Sequence, residues 1–290
     1  MKSRLIIFLL AITTTLSAQV ERPKWEFGGG IRLNYMKLTG GMSGYRNADG
    51  YSFDTKYNEI GMDTYSPSFA IALGGRYKKW NLEFGGSKGS YDGNFITTTD
   101  IVRDDVQIDS GAVVSGTLDL NMYALSTNFG LIQRKHDLGI GIGLLLLYMG
   151  SNYNTTDTYG QAITLGGEEW FPMPFLALGG RLKFGDFRIS ANGGGAFFNA
   201  KKDDVDYDVT YFTVDLNAAW DFLKKKRTKY SVDLGFRTLF LDMKIENENG
   251  WYKEKDNYFG PYISVRILFS SKDLWSFTKK KDRKKSENNE

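Results

Sequence analysis

The sequence predicts an all-β protein: a closed antiparallel up-and-down transmembrane β-barrel of about ten strands, with short periplasmic turns and long extracellular loops. Three observations predict this fold. The apolar segment "LGIGIGLLLLYMG" at 138–150 is too short for a membrane-spanning helix, polarity alternates in ten segments, and the connections alternate in length. A helix needs about 20 apolar residues to cross a bilayer, whereas a tilted strand needs about 9 to 11. The segment therefore fits a strand.

In this segment the even positions from Leu138 to Tyr148 are apolar, and glycines occupy the first odd positions. Successive side chains of a strand point to opposite faces, so the even positions form one apolar face. A lone strand would leave its backbone amides and carbonyls unpaired in lipid, and only a closed barrel pairs all of them. The rest of the chain must therefore supply further strands.

Ten segments show the alternation expected of strands with an apolar outer face. They are 25–38, 69–77, 80–91, 118–132, 138–150, 173–184, 187–198, 208–222, 230–243 and 258–269. Segment 118–132 changes phase near Ala124, which predicts a β-bulge there. Only two residues separate the segments at 78–79 and at 185–186, which predicts tight hairpins.

Connection length predicts the orientation. Short connections at 78–79, 133–137, 185–186 and 223–229 alternate with longer ones at 39–68, 92–117, 151–172, 199–207 and 244–257. Bacterial outer-membrane barrels have short periplasmic turns and longer extracellular loops. Aromatic residues at the strand ends beside the short turns predict an interfacial girdle. They are Trp25, Phe27, Tyr77, Trp80, Phe184, Phe187, Trp220, Phe222, Tyr230 and Phe269.

The two ends of the chain differ from its centre. Residues 1–18 carry Lys2 and Arg4, then an apolar core and small residues up to Ala18, which predicts a secretory signal peptide. Residues 19–271 form the predicted barrel. Residues 272–290 are basic and predict a disordered periplasmic tail that contacts anionic lipid headgroups. The expected location is the outer membrane.

Composition excludes several classes of function. Removal of residues 1–18 leaves 35 basic against 34 acidic side chains, a net charge of about +1. No basic stripe marks the barrel segments, so a nucleic-acid partner is not expected. The chain contains no cysteine, which excludes disulfides and cysteine-based metal sites. No cofactor is expected.

Three stretches support a more specific comparison: "TTLSAQ" at the end of the signal, the strand "FGGGIRLNY" and the closing segment "GPYISVRILF". Together they resemble the small single-chain outer-membrane barrels of Bacteroidota. The resemblance implies a closing strand with a terminal aromatic residue, a position that Phe269 matches. The chain departs from that pattern because 21 residues follow Phe269.

Inward positions near the periplasmic end predict a ring of four acidic and four arginine side chains. The ring contains Glu26, Arg76, Glu83, Arg181, Arg188, Asp221, Asp233 and Arg266. Because a ten-stranded barrel is only slightly wider than one that side chains fill, paired charges would block the lumen. The alternative is a charged constriction in a narrow pore for small solutes. Inward Gly28, Gly30, Gly74, Gly85, Gly141 and Gly143 would leave room for the arginines.

Catalysis and metal binding are the weaker hypotheses. Omptin proteases and lipid-hydrolase barrels resemble this protein in architecture and use histidine at the outer side of the membrane. The single histidine, His136, lies in a predicted periplasmic turn, so an enzyme is not expected. Asp204, Asp206 and Asp208 alternate in a predicted loop and are a weak candidate Ca²⁺ site, since the glycine and distant glutamate of an EF-hand are missing.

Aromatic residues concentrate in the predicted extracellular loops. They are Tyr45, Tyr51, Phe53, Tyr57, Tyr65, Trp170, Phe171, Trp251 and Tyr252. They could contact a partner protein, a glycan or a surface lipid, or they could fold inward and cap the barrel. The sequence therefore predicts a non-enzymatic binding or structural component of the outer membrane with a largely plugged lumen, surrounded by outer-membrane lipids.

Overall fold

The computed structural model describes residues 25–47, 50–59, 65–96, 101–103, 106–108, 110–133, 137–156, 162–202, 204–225 and 227–270. Thirteen strands lie in this part of the chain. They are β1 (Trp25–Arg46), β2 (Tyr51–Lys56), β3 (Tyr65–Tyr77), β4 (Trp80–Ile96), β5 (Ile101–Arg103), β6 (Val106–Ile108), β7 (Val113–Gln133), β8 (Asp137–Thr156), β9 (Ala162–Phe184), β10 (Phe187–Lys202), β11 (Val205–Lys224), β12 (Thr228–Asn247) and β13 (Gly250–Ser270). The predicted signal peptide and basic tail lie outside the described residues.

Ten of these strands close into a ring. The pairing order is β1, β3, β4, β7, β8, β9, β10, β11, β12 and β13, all antiparallel, and β13 pairs again with β1. Strand β2 pairs with the extracellular end of β1, and β5 and β6 form a separate small hairpin. The predicted all-β, up-and-down closed barrel is confirmed. No helix among the residues described is long and apolar enough to cross a membrane.

The two predicted tight hairpins are confirmed. Tyr77 pairs with Trp80 across residues 78–79, and Phe184 pairs with Phe187 across residues 185–186. Lys78 and Gly185 adopt positive φ values of 53° and 63° in these turns. Two-residue hairpin turns need such left-handed conformations because they match the twist of the flanking strands.

The ring strands are longer than the sequence predicted. Strand β9 has 23 residues and β13 has 21, about twice the 9 to 11 that cross a membrane. The excess lies on the side opposite the short turns, so the wall rises well above the bilayer on the extracellular side. Most of the predicted loop at 151–172 is consequently strand, and only 203–204 and 248–249 separate the last two extracellular strand pairs.

A lipid-facing belt covers the lower half of the outer wall. On β8 the exposed apolar positions run from Leu138 to Leu146, ending at Tyr148, a height of about 25 Å for a strand tilted by about 40°. The predicted aromatic girdle lies on this outer face at the lower edge; Phe187 and Trp220, for example, stack at 6.3 Å. At the upper edge is a second girdle, of Tyr35, Tyr65, Tyr123, Tyr148 and Trp170.

Above the second girdle the polarity of the two faces reverses. The inner face of β8 continues with buried Leu145, Leu147 and Met149, while its outer face becomes polar at Asn152. The same reversal corrects the expected bulge near Ala124, because β7 keeps one register with β8 from Ser115 to Gly130. Its inner face only changes from leucine to polar side chains there. The register shift lies between Gly130 and Ile132.

One pairing in the wall is incomplete. The ladder between β9 and β10 ends at the pair Leu176 and Gly195, although both strands continue upward. In this part β9 carries Pro172 and Pro174, and its pairing with β8 continues past both. Proline has no amide hydrogen, so neither Pro172 nor Pro174 can donate a hydrogen bond to a strand on the side away from β8. The prolines therefore fit an edge that has no partner strand.

Candidate functional site

The lumen near the periplasmic end contains a layer of charged side chains, here called the charged layer. Arg266 reaches Asp233 with Nε at 2.6 Å from Oδ2, and Arg188 lies between Asp221 and Asp233 with Nη2 at 3.2 Å and 3.6 Å. Arg188, Asp221 and Asp233 are buried. These ion pairs thus cross-link strands β10, β11, β12 and β13 inside the barrel.

The other predicted ring members take part unequally. Arg76 on β3 pairs with Glu26 on β1 at 2.6 Å. Arg181 is 3.8 Å from Asp137, a longer contact with a more exposed side chain. Glu83 accepts a hydrogen bond from Asn81 on its own strand. Six of the eight predicted residues therefore form close ion pairs with one another, and Arg181 and Glu83 take other partners.

Sequence reasoning missed several members of the charged layer. Lys229 lies 3.3 Å from Asp221, and Asp137 is the partner of Arg181. Both residues lie at strand ends that the sequence analysis assigned to turns. Lys183 faces the same layer, because it pairs with Arg188 across the inner face of β9 and β10. Lys183 could have been predicted from the sequence, because it lies two residues after Arg181 and therefore on the same inner face of β9.

A second polar layer, the middle layer, lies one level higher. Arg32 donates to Asp215 at 2.8 Å, and its guanidinium stacks over the Tyr262 ring at 3.9 Å from the centroid. The Tyr262 hydroxyl donates to the other oxygen of Asp215 at 2.6 Å, and Asn217 also donates to it. This layer joins β1, β11 and β13 across the lumen. Arg32 shares the inner face of β1 with Glu26, so its period-2 position was the available signal.

Inward glycines give these large side chains their space. A Cβ on Gly235 would lie 2.3 Å from the Tyr262 ring, and one on Gly30 would lie 2.5 Å from Cγ of Arg266. A Cβ on Gly141 would overlap the Asn128 side chain. Real Cβ contacts are essentially never shorter than 3.0 Å, so alanine at any of these positions would displace a lumen side chain.

Above the polar layers the lumen is filled by a hydrophobic core, here called the apolar layer. Leu147, Met173, Val209 and Leu241, from β8, β9, β11 and β12, are fully buried. They pack in one cluster with inward residues from the other walls, such as Leu38 on β1 and Tyr91 on β4. A close-packed apolar interior leaves few voids larger than one water molecule. The lumen is consequently filled at the level of the apolar layer.

Tyr57, in the turn after β2, is buried inside the extracellular half of the barrel, where its amide donates to the carbonyl oxygen of Gly40. Its side chain is 1% exposed, and its hydroxyl lies 2.5 Å from Oε1 of Glu254 and 2.7 Å from Oδ1 of Asp256. Tyr258 donates to Asp256 at 2.8 Å, and Tyr252 donates to Glu254 at 2.8 Å. These five residues are called the mouth cluster. Two alternatives were predicted for the loop aromatic residues, contact with a partner or folding inward to cap the barrel. Tyr57 folds inward.

The hydrogen bonds of the mouth cluster bring one hydroxyl group and two carboxyl groups together. The Tyr57 hydroxyl has a single hydrogen but two carboxyl neighbours, and an ionised carboxylate can only accept. Burial and the nearby Glu254 carboxyl raise the pKa of Asp256 well above its usual value, which favours a protonated Asp256 that can donate to the Tyr57 oxygen. Burial, with the nearby Asp256 and Glu254 carboxyls, raises the pKa of Tyr57 well above its usual value. The hydroxyl hence keeps its proton at neutral pH.

Four of the five predicted contact residues lie on the neighbouring strands β13, β1 and β2 near the extracellular tips, and Trp170 lies elsewhere. Trp170 lies on the outer face of β9 and packs against Tyr148 with 5.0 Å between the ring centroids, so it belongs to the upper girdle and not to a loop. Tyr45 and Trp251 pair across β1 and β13 near the extracellular tips. Tyr51 and Phe53 lie in β2 and pair with β1 as well. The strands continue further than the sequence predicted, which explains these positions.

The weak metal candidate is spread along a hairpin. Asp204 lies in the turn, whereas Asp206 and Asp208 lie on the exposed outer face of β11, and Asp206 is 3.9 Å from Lys201. Within the described ranges, no group of three or more histidine, cysteine, aspartate or glutamate side chains is placed to hold a metal ion. His136 lies outside the described residues.

The architecture is similar to that of known proteins, although the sequence is not. No protein-family model matches the sequence, and no curated protein matches it. The outer membrane protease OmpT from Escherichia coli is a structural match with a TM-score of 0.50 and 11% identity, covering 88% of this chain and 99% of OmpT. The translocator domain of the autotransporter NalP from Neisseria meningitidis matches with a TM-score of 0.39 and 13% identity, covering 92% and 95%. At such identities the likeness concerns the fold.

The class of the protein follows from the closed ten-stranded ring, the apolar belt between two aromatic girdles and the fold shared with OmpT. It is a bacterial outer-membrane β-barrel, and its location is the outer membrane.

Proposed function

We propose that this barrel is a closed, non-enzymatic binding or structural component of the outer membrane, and that it does not conduct solutes. The observation that carries the proposal is the filling of the lumen. The charged layer, the middle layer and the apolar layer follow one another from the periplasmic to the extracellular end, and the mouth cluster packs against the apolar layer. A narrow barrel filled by side chains offers no continuous water path.

The mouth cluster also supports a non-enzymatic role. Two carboxyl groups that share a proton are a common arrangement for acid–base catalysis. Here, however, Glu254 is 5% exposed and Asp256 is 0% exposed, with Tyr57 covering both. A substrate would have to displace Tyr57 to reach either group. Their arrangement is better suited to anchoring the loop that follows β2.

Planar-bilayer recording tests the closed state. The reconstituted wild type should conduct little, and so should the double variant Arg188→Ala with Arg266→Ala, because the apolar layer still seals the lumen above the lost charges. In a working pore the wild type would already conduct steadily, and the double variant would mainly change the ion preference. A large steady wild-type conductance would therefore favour the solute channel. Cleavage of a peptide by the wild type, but not by Glu254→Gln, would favour an enzyme.

The origin and processing of the chain are part of the same proposal. The resemblance of "FGGGIRLNY" and "GPYISVRILF" to Bacteroidota barrels supports a Gram-negative source in that group. Residues 1–18 would then be removed on export, and residues 272–290 would remain in the periplasm. Mass spectrometry of the mature protein should find a chain that begins at Gln19 and retains the basic tail. A chain that begins at Met1 would contradict the predicted export signal.

A further inference from the structure

A small cavity lies inside the barrel at the boundary between the middle layer and the apolar layer. It has a volume of about 30 Å³. Leu120 and Leu239 of the apolar layer border it, and Ser68, Ser87 and Arg237 contribute polar groups to its lining. A cavity of this volume holds a water molecule or an ion of similar size, but no larger ligand. We call it the arginine cavity, after Arg237.

Arg237 has no carboxylate of its own. Within the described residues it forms no ion pair, and its buried Nε has no hydrogen-bond partner. Asp215 is its register neighbour on β11. However, one oxygen of Asp215 already accepts from Arg32, and the other accepts from Tyr262 and Asn217. The middle layer therefore contains two guanidinium groups and one carboxylate, which leaves an excess of one positive charge.

The surroundings of the arginine cavity do not neutralise this charge. Among the described residues no carboxylate borders the cavity, whereas Lys88 does. Below it, Asp233 is held by two arginines, and above it Asp256 is bound to two tyrosine hydroxyls. Phe236, the neighbour of Arg237, points outward into the lipid-facing belt. The excess charge therefore lies within the membrane, where an uncompensated charge is costly.

Two serine hydroxyls add hydrogen-bond donors to the arginine cavity. Nδ2 of Asn34 donates to Oγ of Ser68 at 3.0 Å, so the Ser68 hydroxyl keeps its own hydrogen for another acceptor. Within the described residues the hydroxyl of Ser87 has no hydrogen-bond partner. The guanidinium of Arg237 can only donate. An occupant that accepts hydrogen bonds and carries a negative charge would satisfy all three groups.

We propose that the arginine cavity binds one monovalent anion of halide size, with chloride as its natural occupant. Oxyanions with several heavy atoms, such as phosphate, exceed the volume of the cavity. Water is the alternative occupant. It can accept from the same groups and donate to the buried Oδ1 of Asn34, but it leaves the charge of Arg237 uncompensated. This inference goes beyond the proposed closed barrel and does not depend on whether the lumen conducts.

Bromide soaks of crystals grown without halide test the occupant directly. Bromide scatters anomalously at its absorption edge and water does not. The anomalous map should therefore show a peak within hydrogen-bond distance of the Arg237 guanidinium and the Ser68 hydroxyl. The peak should persist at millimolar bromide, at which loosely bound surface ions are lost. An ordered water at this position without an anomalous peak, or a peak seen at molar bromide only, would overturn the proposal.

Thermal unfolding in detergent tests the same site in solution. Replacement of gluconate by chloride at constant ionic strength should raise the melting temperature of the wild type along a saturable curve, because a ligand of the folded state stabilises it and gluconate is too large for the cavity. Arg237→Gln should lose this dependence. The matched control is Arg181→Gln, which removes a lumen arginine that is paired with Asp137, and it should keep the dependence.

Equal chloride dependence in all three proteins would contradict the site. A second variant covers the case in which Arg237→Gln does not fold. Ser68→Ala with Ser87→Ala removes two donors and leaves the charge in place, so the midpoint of the chloride curve should move to a several-fold higher concentration. An unchanged midpoint in this variant would likewise count against an anion in the arginine cavity.

Discussion

Arg266 holds Asp233 with two atoms of its guanidinium: Nε lies 2.6 Å from Oδ2, and Nη2 donates to Oδ1 at 2.7 Å. Such two-point contacts between arginine and a carboxylate fix geometry as well as charge. Asp233 also accepts from the hydroxyl of Ser264 and faces Arg188. One buried carboxylate thus joins β10, β12 and β13 within the membrane.

Removal of that carboxylate should be costly. Asp233→Ala leaves the buried Arg188 and the Arg266 guanidinium without a shared partner, and breaking a buried ion pair on one side costs about 3 to 5 kcal/mol. Urea unfolding in detergent should show a corresponding loss of stability. Glu83→Ala is the control, because Glu83 is exposed to the lumen and contacts Asn81, and it should cost less than about 1 kcal/mol. Equal losses would reject Asp233 as the centre of the layer.

Gly235 should be intolerant of even one methyl group. A Cβ there would lie 2.3 Å from the Tyr262 ring and 2.7 Å from the carbonyl oxygen of Leu216, so Gly235→Ala must push Tyr262 away from Asp215. Overpacking of this kind costs about 1 to 3 kcal/mol. Gly193→Ala, where the new atom would meet only the Thr213 carbonyl oxygen at 3.6 Å, should stay within about 0.5 kcal/mol. The melting temperature of the purified barrel distinguishes the two variants, and similar values would refute the packing argument.

The stability of arginine variants along β8 should show where the polarity of the two faces reverses. Ile142→Arg places a charge in the middle of the lipid belt and should cost about 2 to 4 kcal/mol. Asn152→Arg, on the same outer face but above Tyr148, should change stability by less than about 0.5 kcal/mol. Leu147→Arg should be strongly destabilising at a height where the outer face tolerates charge, because Leu147 is fully buried inside. Tolerance at Leu147 would show that the apolar layer is not packed.

The mouth cluster should make stability sensitive to alkaline pH. The pKa of Tyr57 is raised by burial and by Asp256 and Glu254, so the folded state keeps a proton that the unfolded state releases above about pH 10. Stability is therefore complete below that pH and falls as the pH rises further. Tyr57→Phe should be less stable at pH 7, because both carboxyls lose a partner, yet should lose less between pH 9 and about 11. Parallel pH profiles for the two proteins would contradict this assignment.

The lipid-facing part of the fold could be predicted because one physical rule governs it. Within the bilayer the outer positions must be apolar, so the positions of Leu138 to Tyr148 and the ten-strand order follow from period-2 alternation. Above the bilayer the outer positions are polar and the inner positions are apolar, since water lies outside and a packed core lies inside. Alternation with an apolar outer face therefore predicts strands that end too early and a phase change at Ala124 in β7, where the register is in fact continuous.

The sequence predicts at which height the charged side chains lie in the lumen, but it does not predict which of them form ion pairs. Alternation places Arg188, Asp221 and Asp233 on the inner face near one end, but the strand stagger decides which of them touch. Asp137 and Lys229 were missed because they stand at strand ends, where alternation has only begun. Tyr57 follows a short strand outside the ring, so no periodic signal could place its side chain in the mouth.

The reversal of polarity along each strand also constrains how the barrel reaches its final position. The strand tips carry charged outer residues such as Asp242, Lys253 and Lys255, and these must traverse hydrocarbon before the wall can stand above the bilayer. Spontaneous partition of single strands into lipid would expose those charges at a cost of several kcal/mol each. Paired hairpins that shield polar edges during passage would avoid most of that cost. A taller extracellular wall therefore has more charged side chains to carry across the hydrocarbon, so we expect the wall, more than the belt, to slow the insertion of the barrel.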